Sequence, residues 1–509
     1  MAVLLAFSPA AGHDQLWFLL MGRRWLHGAI LYGPEIFDSN PPLVIWLSAI
    51  PVALSEVSHI EATLLAKCLV LGVGLSIAGL SNFILKRTWR DPGSERPALL
   101  FVFIVLFFVI PARDLGQRDA LAVLLALPYV LCSARRSEDA ISLPVRVSAA
   151  VLASAAFCLK PQDALIGVAV EISCFLRGLG QSRKLFSALR RCLQRPELPI
   201  LLLSGALYLL SIRLLAPLYF TETLPILRST YWAIGGLSLP ALLGQAIELV
   251  LLALATLASL FLTRPSSSTI SLFSAGLGAL LAYIAQGTGW YYQQLPALGL
   301  FGAALALQLL DLQNLRSIHP PRWTIPALAA TCLLAVVLTM HFMDYPFTRD
   351  RAFALFSPDP ALFAGLPPGT PIAILTTSVD EAMMPVEKFH LTWAQRTDNL
   401  WLLPAILRSE SPQSGLDPRQ ADRRQPAPAA IAALDTLQHR WMVEDLTRWH
   451  PQLVLVERCN DPAVACQVLE NRHDDLLAWF DRDPAFVQLW AHYRLLTTKD
   501  RFDAYTFQP

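Results

Sequence analysis

Long apolar runs separated by short polar connections fill the first two thirds of this chain. The runs that are long enough, or nearly long enough, to cross a bilayer fall at 62–85, 97–112, 120–134, 147–159, 162–176, 198–216, 240–262, 268–286, 292–310 and 323–342. A membrane-spanning helix needs about 20 apolar residues, and fewer suffice within a packed bundle. The pattern therefore predicts a mainly α, polytopic membrane bundle of about 11 spans over residues 1–342.

One further apolar run, at the N-terminus, is too short to cross the membrane by itself. As a helix, MAVLLAFSP at 1–9 would cover roughly 13 Å, which is less than half of the hydrocarbon core. The run also lacks the basic start and the small-residue cleavage site of a signal peptide. We therefore expect the first span to extend upstream of Met1.

Residues 343–509 have a different pattern. Two strand-like runs, PIAILTT at 371–377 and LVLVE at 453–457, lie among helix-like stretches such as 462–482. Strands that alternate with helices predict a small soluble α/β domain. This segment contains no nucleophile elbow and no phosphate-binding loop, so we expect it to shape access for an acceptor or to bind a partner.

The composition agrees with a membrane protein. Hydrophobic residues make up 54% of the chain and charged residues only 16%, whereas a soluble domain carries about 25% charged residues. The formal net charge is +1, so no excess of basic residues indicates a nucleic-acid partner.

The distribution of Lys and Arg orients the bundle. Sixteen of these residues lie at 86–96, 135–146, 177–195, 264 and 316–322, and six lie in the connections of the opposite face. The richer face is cytoplasmic. This predicts a multi-pass protein of a bacterial inner membrane whose C-terminal domain lies in the periplasm.

This orientation requires that PPLVIWLSAIPVALS at 41–55 does not cross the membrane. The run is short, opens with two prolines and contains a third, so we interpret it as a helix that dips into the outer face. Residues 14–60 then form one large external loop. Within it, residues 16–31 resemble an interfacial helix, and we expect Arg23 and Arg24 to lie among lipid headgroups.

Two further basic residues lie on this sparsely charged external face. Arg118 and Lys160 each stand at the end of an apolar span, in a connection of only a few residues. Long basic side chains at such positions can simply reach to the membrane surface. Two of them on one face favour the alternative, a cavity that binds an anion such as a phosphate.

Acids occur in the same external connections. Asp14 follows the first span directly, and Asp119 begins the span at 120–134; Asp38 and Asp114 are weaker candidates. An acid in the first turn of a helix is stabilised by the helix dipole, which is one explanation for both. The other is a general base in an external cavity that activates an acceptor hydroxyl or amine.

Aromatic and amide side chains cluster in QGTGWYYQQLP at 286–296. Such aromatics often mark the membrane interface. Together with amides they also bind sugars and headgroups by stacking and hydrogen bonding. The candidates here are Tyr291, Tyr292 and Gln293.

Cysteine usage fits the proposed topology. Cys459 and Cys466 lie in the external segment CNDPAVAC, where an oxidising compartment allows a local disulfide bond. The other six cysteines lie in spans or in the cytoplasmic loop at 177–195, where we expect inert packing residues. No histidine accompanies Cys459 and Cys466 at metal-ligand spacing.

These motifs together resemble the GT-C superfamily of polytopic glycosyltransferases, which includes protein O-mannosyltransferases and lipid A aminoarabinose transferases. The pattern is most similar to bacterial members with an RgtA/B/C/D-like domain and covers roughly residues 12–300. The matching residues are His13–Asp14 with Trp17, Asn40-Pro41-Pro42-Leu43, Gly116-Gln117-Arg118-Asp119 and Pro128-Tyr129. The second acid is often Glu in such relatives and is Asp here.

The resemblance implies an integral membrane glycosyltransferase. The donor would be a polyprenyl-phosphate sugar held within the membrane lipid, and the acceptor an extracytoplasmic glycan, lipid or protein. Transfer would invert the anomeric centre, with Asp14 as general base and Asp119 positioning a substrate or sharing that work. The expected substrate-binding residues are His13, Gln117, Arg118, Lys160, Tyr291, Tyr292 and Gln293.

No cofactor is expected, and a divalent metal between the two acids stays an open alternative without a ligand cluster to indicate it. Two other functions stay open. A transporter or flippase of lipid-linked sugars would carry charges in mid-span and internal repeats, neither of which is evident. A noncatalytic protein of envelope assembly is the third.

Overall fold

The computed structural model of the chain is mostly helical and carries one small mixed sheet near its C-terminus. It describes residues 11–88, 96–111, 114–134, 141–182, 184–262, 264–315, 358–410 and 426–508, the last without 465, 467, 468, 470 and 471. The predicted runs at 323–342 and 1–9 lie outside these residues.

The described helices are, in chain order, α1 (His13–Leu26), α2 (Leu43–Ser58), α3 (Ala62–Thr88), α4 (Arg96–Ile104), α5 (Arg118–Cys132), α6 (Leu143–Leu159), α7 (Ala164–Ser182), α8 (Leu185–Leu193), α9 (Glu197–Leu215), α10 (Leu224–Ile234), α11 (Leu239–Gln245), α12 (Ile247–Leu262), α13 (Ser267–Gln286), α14 (Leu295–Leu315), α15 (Asp380–Lys388), α16 (Leu403–Glu410), α17 (Pro428–Trp449), α18 (Leu476–Phe480) and α19 (Pro484–Trp490). The strands are β1 (Pro371–Leu375), β2 (Thr392–Trp393), β3 (Leu453–Glu457), β4 (Tyr493–Lys499) and β5 (Phe502–Phe507).

The predicted apolar runs between residues 62 and 310 fall on these helices. Among the described residues, four helices are long and apolar enough to cross a membrane: α3, α9, α13 and the segment Tyr291–Asp311. A fifth span results if α11 and α12, which meet at 88°, form one broken crossing. The figure of about 11 spans stays a prediction.

The contacts divide the chain into two compact units. The first contains Leu64–Leu214 and Leu239–Tyr345, and the second contains Ala10–Thr63, Leu215–Ser238 and Pro346–Pro509. The segment Ala10–Thr63 therefore packs with the C-terminal segment, an association that the sequence did not indicate. The boundary between two domains at 342 and 343 stays a prediction.

Close helix packing organises the first unit around the start of α7. A Cβ atom added to Gly278 of α13 would clash with the carbonyl oxygen of Leu165 and with the backbone of Ile166. Only glycine allows two helix backbones to approach so closely. This contact fixes the first turn of α7 and, with it, the short turn Pro161–Asp163 that precedes it.

A buried network of charges lies at the other end of α6. Arg146, in the first turn of that helix, donates two hydrogen bonds to Glu197 of α9, at 2.9 and 3.0 Å. Arg195 donates to Glu171 at 2.9 Å, and Tyr129 donates to the same carboxylate at 2.6 Å. The network thus connects α5, α6, α7 and α9 at the end that the sequence assigns to the cytoplasm.

The sheet of the second unit has the strand order β2-β1-β3-β5-β4. β1 lies parallel to β2 and β3, while β5 is antiparallel to β3 and β4. The two strands predicted from sequence, at 371–377 and 453–457, are confirmed as β1 and β3. The hairpin of β4 and β5 was not predicted.

Two sequence-based predictions for this unit need correction. The helix expected over 462–482 is reduced, among the described residues, to Leu476–Phe480, because the chain before it turns around the disulfide bond between Cys459 and Cys466. The position of Arg24 among lipid headgroups is also wrong. Its guanidinium donates to the carbonyl oxygens of Glu35 (2.7 Å), Gln395 (2.8 Å) and Trp393.

Candidate functional site

Buried charges meet where α5 begins and α6 ends. Asp119 lies in the first turn of α5, and Lys160 follows the last residue of α6. Their side chains form an ion pair, although Asp119 is only 1% exposed and Lys160 only 4%. Burying two charges is costly, so such a pair at a helix end indicates a role beyond stability.

The turn after α6 adds a second acid that sequence analysis missed. The amide of Asp163 donates to the carbonyl oxygen of Lys160 at 2.9 Å, which closes the turn Pro161–Asp163. Asp163 is 1% exposed, and its Oδ2 atom is buried without a hydrogen-bond partner among the described residues. The signal that could have found it is an acid three residues after a base at a span end.

The electrostatics of the turn favour a neutral Asp163. Burial raises the pKa of its carboxyl, Lys160 and Arg118 lower it, and the negative charge of Asp119 raises it, so that the net pKa is about 7. Desolvation disfavours the charged form of a carboxyl, which explains the direction. Asp163 therefore titrates near neutral pH, between two cations and a carboxylate.

Asp119 also keeps one free carboxylate oxygen. Lys160 bonds to its Oδ1 atom, while Oδ2 is buried without a hydrogen-bond partner among the described residues. Buried polar atoms are nearly always hydrogen-bonded, so an exception calls for an explanation such as a catalytic role or an absent ligand. A substrate hydroxyl could donate to this oxygen.

The other predicted residues of this region fall into two groups. Gln117 caps the start of α5 and is 1% exposed, and Arg118 follows it with its side chain partly exposed. The ammonium of Lys160 lies 5.7 Å from the ring centroid of Tyr292, within reach of a cation–π interaction. These residues lie with Asp119 in the first unit.

Tyr291 and Gln293 instead form hydrogen bonds with Ile110 and Thr288. The Tyr291 hydroxyl donates to the carbonyl oxygen of Ile110 at 3.2 Å, and the Thr288 hydroxyl donates to Gln293 at 2.6 Å. Both contacts hold the connection between α13 and α14 in place. Tyr292 is therefore the residue of this motif with a direct relation to Lys160.

His13 and Asp14 belong to the second unit, at the start of α1. The His13 ring contacts the Asp14 carboxylate at 2.9 Å, with about one seventh of each side chain exposed. Asp38 lies nearby and is held by the Trp17 indole, which donates to Oδ2 at 2.8 Å, and by the amide of Asn40, at 2.6 Å from Oδ1. Trp17 and Asn40 of the sequence motifs therefore position a second acidic residue beside Asp14.

A third acid reaches this cluster from the C-terminal segment. Burial, followed by the charges of Asp38 and Asp14, raises the pKa of Asp398 to about 7, against the opposing effect of His13. Asp398 follows β2 in sequence, in a part of the chain where sequence analysis placed no functional residue. We name His13, Asp14, Asp38 and Asp398 the α1 acid cluster.

Asp14 and Asp119 thus lie in different units, and their meeting in one cavity stays a prediction. Among the described residues, Glu457, Cys459 and Cys466 could bring three metal-ligand atoms together. The two cysteines form a disulfide bond and are not available as thiolate ligands. This group therefore supports no metal hypothesis.

Comparison with known proteins gives one informative result. No family model matches the chain, and no curated protein matches its sequence. The chain does share its fold with the crystal structure of ArnT from Cupriavidus metallidurans, which holds undecaprenyl phosphate. The match has a TM-score of 0.52 and covers 99% of this chain and 95% of ArnT, at 12% sequence identity.

The chain has the fold of ArnT. The resemblance predicted from His13–Asp14, the NPPL motif and the GQRD motif is thereby confirmed at the level of architecture. The ArnT fold also accounts for apolar helices that accompany a small mixed sheet in one chain. At 12% identity the comparison shows a shared fold only, so the chemistry must be argued from the residues of the site.

Proposed function

We propose that this protein is an integral membrane glycosyltransferase of a bacterial inner membrane. It moves a sugar from a polyprenyl-phosphate donor to an extracytoplasmic glycan, lipid or protein. The observation that carries the proposal is the buried Lys160–Asp119 pair with Arg118 and Tyr292. The shared fold with ArnT, which was crystallised with undecaprenyl phosphate, supports a lipid-phosphate ligand.

Lys160 and Arg118 bind the donor phosphate in this proposal. Charge-assisted hydrogen bonds to phosphate are among the strongest in proteins, and their strength grows away from water. Because Lys160 already pairs with Asp119, the phosphate would replace Asp119 as the anionic partner of Lys160. The exchange leaves the Asp119 carboxylate free to accept from a substrate hydroxyl.

Asp14 acts as the general base. It takes the proton of the acceptor hydroxyl or amine while the acceptor atom forms a bond to the anomeric carbon. The bond from that carbon to the phosphate oxygen breaks on the opposite side, so configuration inverts and polyprenyl phosphate leaves. Lys160 and Arg118 stabilise the charge that develops on the leaving phosphate.

His13 and Asp38 assist Asp14 in accepting the proton. The contact between His13 and Asp14 fixes the orientation of the carboxylate. Asp38, held by Trp17, adds negative charge that favours proton capture in the α1 acid cluster. The same set of residues can accommodate a hydroxyl or an amine, so the acceptor class remains broad.

The test is an analysis of lipid-linked sugars in a strain that lacks the gene. We expect one polyprenyl-phosphate sugar to accumulate, and the wild-type gene to restore the normal pool. Lys160→Ala should fail to restore it, whereas Lys86→Ala, an exposed lysine at the end of α3, should succeed. An unchanged lipid pool in the deletion strain would overturn the proposal. Loss of sugar export with intact transfer would indicate a flippase instead.

A further inference from the structure

The turn after α6 holds a carboxyl group that the transfer chemistry described above does not use. Asp163 is 1% exposed, and its Oδ2 atom has no hydrogen-bond partner among the described residues. Leaving a buried polar atom unpaired costs about 1–3 kcal/mol. An unpaired oxygen beside Lys160 and Asp119 is therefore best explained by a ligand that binds there.

The charges around Asp163 indicate what that ligand is. Its carboxyl interacts with Lys160 and Arg118, which are positive, and with Asp119, which is negative. If Asp163 is neutral, these groups sum to one positive charge, and a singly charged phosphodiester balances it. If Asp163 is ionised, the same phosphodiester leaves a net negative charge in a buried site, which is unfavourable.

We propose that Asp163 is a third ligand of the donor phosphate, a neutral carboxyl that donates its O–H to a phosphate oxygen beside Lys160 and Arg118. Donor binding is then coupled to the uptake of one proton from solvent. This inference rests on the proposed function, because it deepens the phosphate site described there. The pKa of about 7 of the buried carboxyl places the coupling in the range of neutral pH.

Several charged and titratable groups lie on the helices that pack against the turn, and we assign the proton uptake to Asp163. α6 contributes Lys160, and α5 contributes Arg118 and Asp119. α13 packs against the turn with Tyr283 as its titratable side chain, whose hydroxyl is engaged by the carbonyl oxygen of Leu242. α7 contributes Glu171 farther along, where it pairs with Arg195 in the other charge network.

Binding of the methyl ester of undecaprenyl phosphate tests the inference. This phosphodiester stays singly charged across the neutral range, so any pH dependence belongs to the protein. In lipid nanodiscs, the Kd of the wild-type protein should be constant below a pH of about 7 and rise up to tenfold per pH unit above it. Isothermal titration above that pH, in buffers of different ionisation enthalpy, should show uptake of close to one proton.

Variants assign the effect to Asp163. Asp163→Asn keeps a hydrogen-bond donor without titration, so its Kd should be independent of pH and near the low-pH value of the wild type. Asp163→Leu should also be independent of pH, with binding weaker by about tenfold or more, since it loses a charge-assisted hydrogen bond. The matched control Glu248→Gln, an exposed carboxylate at the start of α12, should keep the wild-type slope.

The outcomes separate this inference from the proposed function. A wild-type pH slope retained in Asp163→Asn, or binding without proton uptake, would overturn the role of Asp163. Loss of binding in Lys160→Met would meanwhile support the phosphate site itself. A wild-type protein that fails to bind the phosphodiester at any pH would overturn both.

Discussion

At the scale of single residues, the start of α1 combines groups that oppose one another. His13 contacts Asp14 at 2.9 Å, while Asp38 and Asp398 add negative charge to the same α1 acid cluster. Each acid raises the proton affinity of its neighbours. An environment of this kind suits a residue that must accept a proton during one step and lose it afterwards.

Asp14→Asn should abolish sugar transfer, with a loss of at least 100-fold, the lower end of the range for removal of a general base. The variant should reach the membrane in normal amounts, because the side chain is partly exposed and contributes little to packing. Radiolabelled transfer in membranes measures the effect. Glu56→Gln on α2, the same carboxylate-to-amide change at a more exposed position, should retain full activity. Normal transfer by Asp14→Asn would remove the catalytic assignment.

Asp398→Asn should stabilise the protein at neutral and higher pH. The folded state holds the Asp398 proton up to a pH of about 7, above the ordinary range of the carboxyl. Stability therefore falls as the pH rises from about 4 to about 7, because ionisation costs more in the folded state than in the unfolded one. The Tm advantage of the variant should be largest above that window and disappear below it. Equal Tm profiles for both proteins would contradict the burial of this charge.

The residues of the site differ in how far the sequence could reveal them. Asp14, Asp119 and Lys160 stand beside long apolar runs, where a charge is conspicuous and costly. Asp398 lies in an ordinary polar segment and joins the α1 acid cluster only through a long-range contact. Local patterns contain no information about such contacts, so sequence analysis could not assign it.

At the scale of elements, the network of Arg146, Glu171, Arg195 and Glu197, joined by Tyr129, connects α5, α6, α7 and α9. The bidentate contact between Arg146 and Glu197 is fully enclosed, with Glu197 0% exposed. Single removal of one partner leaves an uncompensated charge in the bundle. Such a charge is far more costly than the absence of both partners.

Arg146→Met should therefore destabilise the bundle by about 3–5 kcal/mol. The double variant Arg146→Met with Glu197→Met should recover most of that loss, since neither charge then remains buried. Thermal unfolding in detergent, followed by circular dichroism, measures both. A single variant as stable as the wild type would show that the network contributes nothing to helix association.

The elements themselves were predictable where hydrophobicity has a clear period. Apolar runs predicted α3 to α7, α9 and α11 to α14, whereas α8 and α10 lie outside those runs. The buried strands β1 and β3 were found from their apolar sequences. β4 escaped because most of its side chains are exposed, so YRLLTTK lacks the alternation of a half-buried strand. β4 is held by its antiparallel pairing with β5, which the sequence of β4 alone does not show.

At the scale of the whole molecule, the distribution of Lys and Arg predicts one orientation in the membrane. A phosphatase fused after Tyr345 should be active, because the enzyme folds only after export. A fusion at Lys184, just before α8, should be inactive, and a cytoplasmic reporter at the same site should be active. The reverse pattern would move the α1 acid cluster to the cytoplasm and contradict the proposed function.

The second unit can assemble only late in synthesis. It joins Ala10–Thr63 to Pro346–Pro509, so its earliest and latest parts leave the ribosome far apart in time. At 5–20 residues per second, Asp398 follows Asp14 by roughly 20–80 s. During that interval the segment Ala10–Thr63 lacks β2, whose Trp393 accepts a hydrogen bond from Arg24, and it also lacks Asp398 of the α1 acid cluster. An unfinished chain can therefore hold a complete set of early helices and still lack an assembled proton acceptor.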